Sequence, residues 1–339
     1  MGLVKAGVDA RLGVNAPNYE NFLANYPELK ASNIPVFSYG DGTELGRLMA
    51  ACQIAVATTN RSVYDVNEAR AELQKTGAKL ASKLAYYVQD YEPLFYPPKG
   101  DAWAKAYQSY TILKNAVLFA KTEWLCNTVY VNHGVRMSKV TPSIDHDAYY
   151  PGLRLNSRHV ISAMLRPSTA RRAPLRTVRI MKAISRLYGD VSLQVFGASD
   201  AQLAAASIDL PPSIKNWGIL KRTQVPEVLR SSDLFLDLSD YQAFGRTALE
   251  GMACGCIPVV PVFGGAGEYA VHGQNAFVVD TRCDAEIMKA VDMFIAMERS
   301  TRVEMRLAAL ETAAEFTVTK AALSELRLFR KLVSDELEV

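Results

Sequence analysis

The sequence predicts an α/β fold built as two domains, each around a mostly parallel sheet. Three observations lead there. Short apolar runs rich in branched residues alternate with helical patterns, the signature of strand–helix–strand units. A chain of 339 residues, 49% of them hydrophobic, is long enough for two separate cores. A Pro151-Gly152 interruption within Asp147 to Arg158 divides two such blocks, so the domain boundary is expected there.

Taken in order, Met1 to Gly7 reads as the tail of a helix and Val8 to Val14 as the strand after it. A doubly wound domain that binds a ligand ordinarily opens with strand, Gly-rich turn and helix, so the N-terminal domain (1–151) is expected to lack its first strand. Gln53 to Ala57 and Leu84 to Val88 supply further strands of that domain. In the second domain (152–317), His159 to Met164, Ser192 to Phe196, Leu234 to Leu238 and Pro258 to Pro261 are the strand candidates. Between the first two lies a well-drawn helix. Pro174 suits a first helical position, Leu175, Val178, Met181, Ile184 and Leu187 recur at helical spacing, and Gly189 stops it. The last segment (318–339) is a helix whose apolar residues Leu323, Leu326, Phe329 and Leu332 need a partner, and it is expected to cross back onto the first domain.

Composition removes several function classes. The formal net charge is +3 and the basic residues are dispersed, so no footprint for a nucleic acid stands out. No stretch approaches the roughly 20 apolar residues that span a bilayer, and no secretory leader is visible. The five cysteines are odd in number, and Cys254 and Cys256 are too close for an ordinary bridge, which suits reduced thiols and a cytoplasmic protein, at most peripheral at a membrane.

The strongest chemical signal is Asp240 to Val260, DYQAFGRTALEGMACGCIPVV. Gly245, Arg246 and Thr247 stand where a loop opens a helix, and the free backbone N–H groups of a helix start make a phosphate site. Glu250 follows within that helix, and Gly255 ends it. Spacing alone fits any amphipathic helix entry equally well. The pattern, however, resembles the acidic motif of glycosyltransferase family 4, Glu-x-Phe-Gly, three residues, then Leu-Glu-x-Met-Ala-x-Gly-x-Pro. Phe244, Gly245, Leu249, Glu250, Met252, Ala253 and Gly255 match, Pro258 comes one residue later than the motif's proline, and Gln242 replaces the first acid. The resemblance implies a GT-B fold, two Rossmann-like domains facing each other across a cleft. It also implies that Glu250 holds the ribose of a nucleoside diphosphate sugar and that position 242 touches the transferred sugar. An amide there still hydrogen-bonds sugar hydroxyls but gives no electrostatic support to a positive anomeric carbon.

The same resemblance assigns a basic pair to the donor diphosphate: Arg166 and Arg171, five apart after the first strand of the second domain, with Arg172 as a candidate to share the task. Arginines near a helix start could instead be merely solvated. Gly218, Ile219 and Leu220 follow Trp217 in the segment expected to line the nucleobase, and Gly264, Gly265, Gly267 and Glu268 resemble the family's later Gly-rich turn. In the first domain, Ala85 to Pro98 (AYYVQDYEPLFYPP) is similar to bacterial rhamnosyltransferases of S-layer and rhamnan assembly. Asp90 and Glu92 among Tyr87 and Tyr91 are accordingly candidate acceptor-binding residues, with Asp90 a catalytic candidate, since aromatic faces cover a sugar's C–H surface while carboxylates accept from its hydroxyls. A tyrosine-rich core edge with solvated acids is the other reading.

Asp145-His146-Asp147 has the spacing of a metal motif, but the resemblance implies a metal-independent enzyme, with no cofactor besides its nucleotide-sugar substrate. The expected reaction is retaining transfer of a hexose or deoxyhexose to a glycan or protein acceptor, with Arg166, Arg171, Asp90 and Gln242 nearest the chemistry. A leaving phosphate oxygen would deprotonate the acceptor on the same face. A missing strand predicts a wide acceptor groove, and a homodimer is one expectation. Two rivals stand beside this reading: a catalytically degenerate scaffold or sugar-binding subunit, and a nucleic-acid-modifying glucosyltransferase.

Overall fold

The computed structural model describes residues 2–32, 34–75, 77, 81–153 and 158–334. The chain forms two compact units, 143–317 and a second composed of 1–142 with 318–339. The expected boundary at 151 therefore moves back to 142. Ile144 and Tyr149 are the reason: both are buried in the core of the later unit, and the Ile144 N–H donates to the Phe316 carbonyl at 3.0 Å. Residues 154–157 of the expected linker lie outside the described residues.

The N-terminal unit opens with a helical turn, α1 (Gly2–Lys5), then β1 (Leu12–Asn15), α2 (Tyr19–Asn25), α3 (Glu28–Ala31) and β2 (Val36–Tyr39). The strand expected at Val8 begins only at Leu12. There follow α4 (Gly42–Ala50), β3 (Ile54–Ala57), α5 (Asn60–Lys75), β4 (Lys83–Val88), α6 (Asp101–Ile112), β5 (Ala116–Ala120), α7 (Glu123–His133) and β6 (Ser138–Lys139). All strand pairs are parallel, but they form two sheets, β1-β2 and β3-β4-β5-β6. Among the described residues no ladder joins them. The last helix, α14 (Val318–Val333), belongs to this unit, where Leu328 and Leu332 pack with Val117, Phe119 and Val140.

The C-terminal unit comprises β7 (His159–Met164), α8 (Pro174–Leu187), β8 (Val191–Phe196), α9 (Asp200–Ala205), β9 (Ile214–Asn216), α10 (Val225–Arg230), β10 (Leu234–Leu236), α11 (Arg246–Ala253), β11 (Ile257–Pro261), β12 (Phe277–Val279), α12 (Asp284–Ala296) and α13 (Arg299–Ala314). Its six parallel strands run in the order β12-β11-β10-β7-β8-β9. That is a doubly wound sheet: β7 leads outward through β8 to β9, and the chain then returns to the other side of β7 for β10, β11 and β12. α8 follows the predicted pattern with Val178, Met181 and Ile184 buried, while Leu175 and Leu187, at its two ends, are exposed. Ala173, at φ 46°, turns the chain sharply enough for Pro174 to start the helix.

Candidate donor site at the switch between β7 and β10

In an open parallel sheet the connections from two neighbouring strands part where the strand order reverses, leaving a crevice at their carboxyl ends. Here that point lies between β7 and β10. The crevice is lined by Met164 and Arg166 from the end of β7, Arg172 from the loop before α8, Phe235 to Ser239 along and beyond β10, and Thr247 in the first turn of α11. Two arginines, a helix N-terminus and one acid, Asp237, thus meet in one small space.

The two candidate arginines of the loop part company. Arg172 lines the crevice, its Nη1 3.9 Å from Asp237 Oδ2. Arg171 lies with its guanidinium 5.3 Å from the centre of the Tyr241 ring, while its carbonyl accepts from the Asp240 N–H at 2.8 Å. The crevice pair is therefore Arg166 with Arg172, not Arg166 with Arg171: a short 3-10 turn at Ala170–Arg172 sends adjacent side chains in different directions. Arg166 Nε sits 3.2 Å from the Met164 sulfur.

α11 owes its start to Gly245, whose φ of 82° a side chain would strain. A Cβ there would also stand 2.6 Å from the Tyr269 hydroxyl, which donates to the Gly245 carbonyl at 2.8 Å. Helix geometry leaves the amides of Arg246 and Thr247 without carbonyl partners in the helix, so they are directed out of its first turn. Glu250, one turn on, is buried. Burial pushes its carboxyl up to about 7, against the pull of Arg246, Arg222 and a hydrogen bond from Tyr149. Arg246 Nε lies 3.1 Å from its Oε1. Phe244 packs against Tyr269 and Phe316 and serves the core.

Gln242 is buried beside Asp237. Its amide nitrogen donates to Asp237 Oδ2 at 2.6 Å, and its backbone bridges to Gly264, whose missing side chain would stand 2.0 Å from the Gln242 carbonyl. Beyond β9, Gly218 takes a φ of 69° and its carbonyl accepts from the Gly197 N–H; Ile219 is exposed and Leu220 is partly buried.

In the N-terminal unit the four acceptor candidates separate. Tyr87 stacks on Phe119 at 5.2 Å, on the face that α14 covers. Tyr91 stacks on Tyr110 at 5.6 Å and its hydroxyl meets His133 Nε2 at 3.1 Å. Alternation along β4 sends Tyr86 to the Tyr110 side, at 5.9 Å, and Tyr87 to the other face; Tyr91 lies past the end of the strand, where the chain has turned towards Tyr110. Burial lowers His133 to about 4, so this ring is neutral at physiological pH. Asp90 Oδ1 accepts from the Tyr91 N–H at 2.8 Å. Glu92 Oε2 accepts from the Asn60 N–H at 3.0 Å, at the start of α5, and burial raises its carboxyl to about 7. Glu92 thus caps a helix. Among the described residues no group of three or more His, Cys, Asp or Glu is placed to hold a metal ion, and no helix is long and apolar enough to cross a membrane.

Residues 175–312 match the family of glycosyl transferases group 1. The match covers β8 to β12 and most of α8 and α13, and so includes Asp237, Gln242, Thr247 and Glu250, while Arg166 and Arg172 lie just ahead of it. Mannosylfructose-phosphate synthase of Agrobacterium fabrum is 34% identical over 74 residues, 22% of this chain and 16% of its own length. The chain therefore spans about a sixth of that curated relative. Among solved structures, Anabaena HepE in complex with UDP and glucose superposes with a TM-score of 0.77 at 16% identity, covering 97% of this chain and 94% of its own. A glycosyltransferase from Rickettsia africae gives 0.72 at 15%, covering 96% and 98%. At such identities the likeness is one of fold, and that fold is GT-B: two Rossmann-like α/β units, the second containing the segment that matches group 1 glycosyl transferases.

Sequence reasoning passed over Asp237, Ser239 and Tyr149. The signal available for Asp237 and Ser239 was position: both stand just past the carboxyl end of a central parallel strand.

Proposed function

We propose that the chain is a retaining glycosyltransferase that takes a hexose or deoxyhexose from a nucleoside diphosphate donor held by the C-terminal unit. The observation that carries this reading is the convergence of Arg166, Arg172 and the α11 N-terminus at the switch between β7 and β10, with buried Glu250 one turn further along α11. Two guanidinium groups and a helix start complement the charge that gathers on a departing diphosphate. Since these groups can meet that charge themselves, we propose a metal-independent reaction. Glu250 accepts from the ribose hydroxyls. Arg171 braces the loop against Tyr241.

The group 1 match and a fold shared with a protein solved with UDP and glucose support a nucleotide-sugar donor. With the donor's own phosphate oxygen taking the acceptor proton, the new bond forms on the face the diphosphate leaves, giving retention. On the N-terminal unit, Asp90 and Tyr91 are the acceptor contacts we favour for a glycan or protein substrate. Glu92 stabilises the segment between them and α5. The unbridged cysteines suit a reducing compartment, and we place the protein in the cytoplasm.

The test is a thermal-shift panel of nucleotide sugars and free nucleoside diphosphates. A ligand at 100 times its dissociation constant stabilises by about 2.7 kcal/mol. One nucleoside diphosphate and its sugars should raise Tm clearly above the rest, without added metal; a flat panel would reject the reading.

A further inference from the structure

We infer that Asp237 supplies the negative charge of the donor crevice and that Gln242 is a positioning residue that holds it there. The inference rests on the donor reading above and concerns how that same site handles charge. When a diphosphate leaves, the sugar carbon it quits becomes positive, and a preorganised anion facing it lowers the barrier. Of the described residues that line the crevice, Asp237 alone is acidic; Arg166, Arg172, Ser239 and Thr247 are its polar companions.

The carboxylate is built in. Asp237 stands just beyond the end of β10 and is buried. Oδ1 accepts from the Ser239 hydroxyl at 2.5 Å and from the Ser239 N–H at 3.2 Å, and Oδ2 accepts from Gln242 Nε2 at 2.6 Å. The same Gln242 nitrogen also reaches the Ser239 oxygen at 3.1 Å. An ionised carboxylate only accepts, so the amide of Gln242 must turn its nitrogen inward. Three donors around one buried carboxylate fix its direction, while Arg172 stands 3.9 Å from it on the crevice side.

A carboxylate at position 242 would confront Asp237 across 2.6 Å, and two like charges that close cannot both ionise. The charge can occupy either position but not both. A neutral donor such as Gln242 is thus what suits an acid at 237.

The test exploits that exclusivity. Donor turnover is followed as nucleoside diphosphate release from the nucleotide sugar the wild type accepts, beside nucleoside diphosphate binding by calorimetry. Asp237→Asn should lower kcat about 100-fold, the order seen when one preorganised charge-stabilising group is lost, with diphosphate affinity nearly unchanged. Gln242→Glu should also be impaired. The reversed pair, Asp237→Asn with Gln242→Glu, restores a hydrogen bond between an amide and a carboxylate and should recover at least about tenfold in kcat over Asp237→Asn. A purely structural role predicts that Tm, not kcat, tracks these changes. Full kcat in Asp237→Asn, or a reversed pair no faster than that single variant, would overturn the inference. If Asp237→Asn does not fold, Gln242→Met reads the same question by removing the amide donor, and undiminished kcat there would be equally fatal. A wild type that binds no nucleotide sugar would sink both this inference and the donor reading; wild-type turnover with an indifferent Asp237→Asn would sink this one alone.

Discussion

The two units solve the same architectural problem differently. In the C-terminal unit one sheet of six parallel strands is continuous, and every residue of β10 and β11 is buried. In the N-terminal unit the strands fall into a pair and a quartet, and Phe37 on β2 and Val56 on β3 are 38% and 37% exposed. Parallel strands are ordinarily buried on both faces. The contrast teaches where precision is available: a closed run of central strands fixes the directions of Arg166, Asp237 and Thr247, whereas the interrupted sheet presents Tyr91 and Asp90 from a single strand end.

The comparison can be broken most forcibly with glycine. Gly264 has φ 109° and ψ −159°, a region glycine alone occupies freely, and its Cβ would overlap the Gln242 carbonyl at 2.0 Å. Gly264→Ala should cost about 3 kcal/mol or more and disturb donor binding, measured by denaturant unfolding and calorimetry.

Next in size is the divergence of the adjacent arginines. Arg166→Ala and Arg172→Ala should each weaken nucleoside diphosphate binding about tenfold or more, as charge-assisted hydrogen bonds contribute about 1.5 to 3 kcal/mol. Arg171→Ala should weaken it far less. Equal losses at 171 and 172 would restore the assignment that the resemblance implied.

A smaller effect separates two buried acids, one per unit. Glu250 and Glu92 are both raised to about 7 by burial, so the folded state holds protons the unfolded chain has already released. Their contribution to stability is complete below pH 4.5 and is lost as pH rises through 7. Glu250→Gln and Glu92→Gln should each flatten that decline, by on the order of 1 to 2 kcal/mol. Nucleotide affinity behaves oppositely, because ribose hydroxyls donate to an ionised carboxylate. It should fall as pH drops below about 7 in the wild type and in Glu92→Gln, but not in Glu250→Gln.

The smallest effect belongs to β1. A Cβ on Gly13 would meet Tyr39 at an ordinary 3.7 Å, so Gly13→Ala should change stability by no more than about 0.5 kcal/mol.

Much of this was legible in the sequence, and what was hidden has physical reasons. β7 and α8 were readable because apolar period and a first-turn proline act locally. β6, β9 and β12 are two or three residues long and carry no period at all. The boundary was misplaced because Ile144 and Tyr149 are drawn into a core assembled mainly from residues more than 50 positions away. Glu250 and Thr247 could be named as candidates because the motif that carries the resemblance is contiguous in the chain. Arg172 could not be separated from Arg171, since the direction of each depends on a tight turn and on Tyr241, far along the chain. Asp237 was legible only by its position just past a central strand; that Ser239 and Gln242, close in sequence, both turn their donors onto it depends on how the loop after β10 folds.

The central claim, a donor diphosphate seated at the carboxyl ends of β7 and β10, is tested most directly by hydrogen exchange. The protein would be compared with and without a saturating amount of the nucleoside diphosphate that shifts Tm most. Protection should appear in 165–173 and 237–250, with β1 to β3 unchanged. Protection confined to 82–98, or absent from both segments of the C-terminal unit, would contradict it.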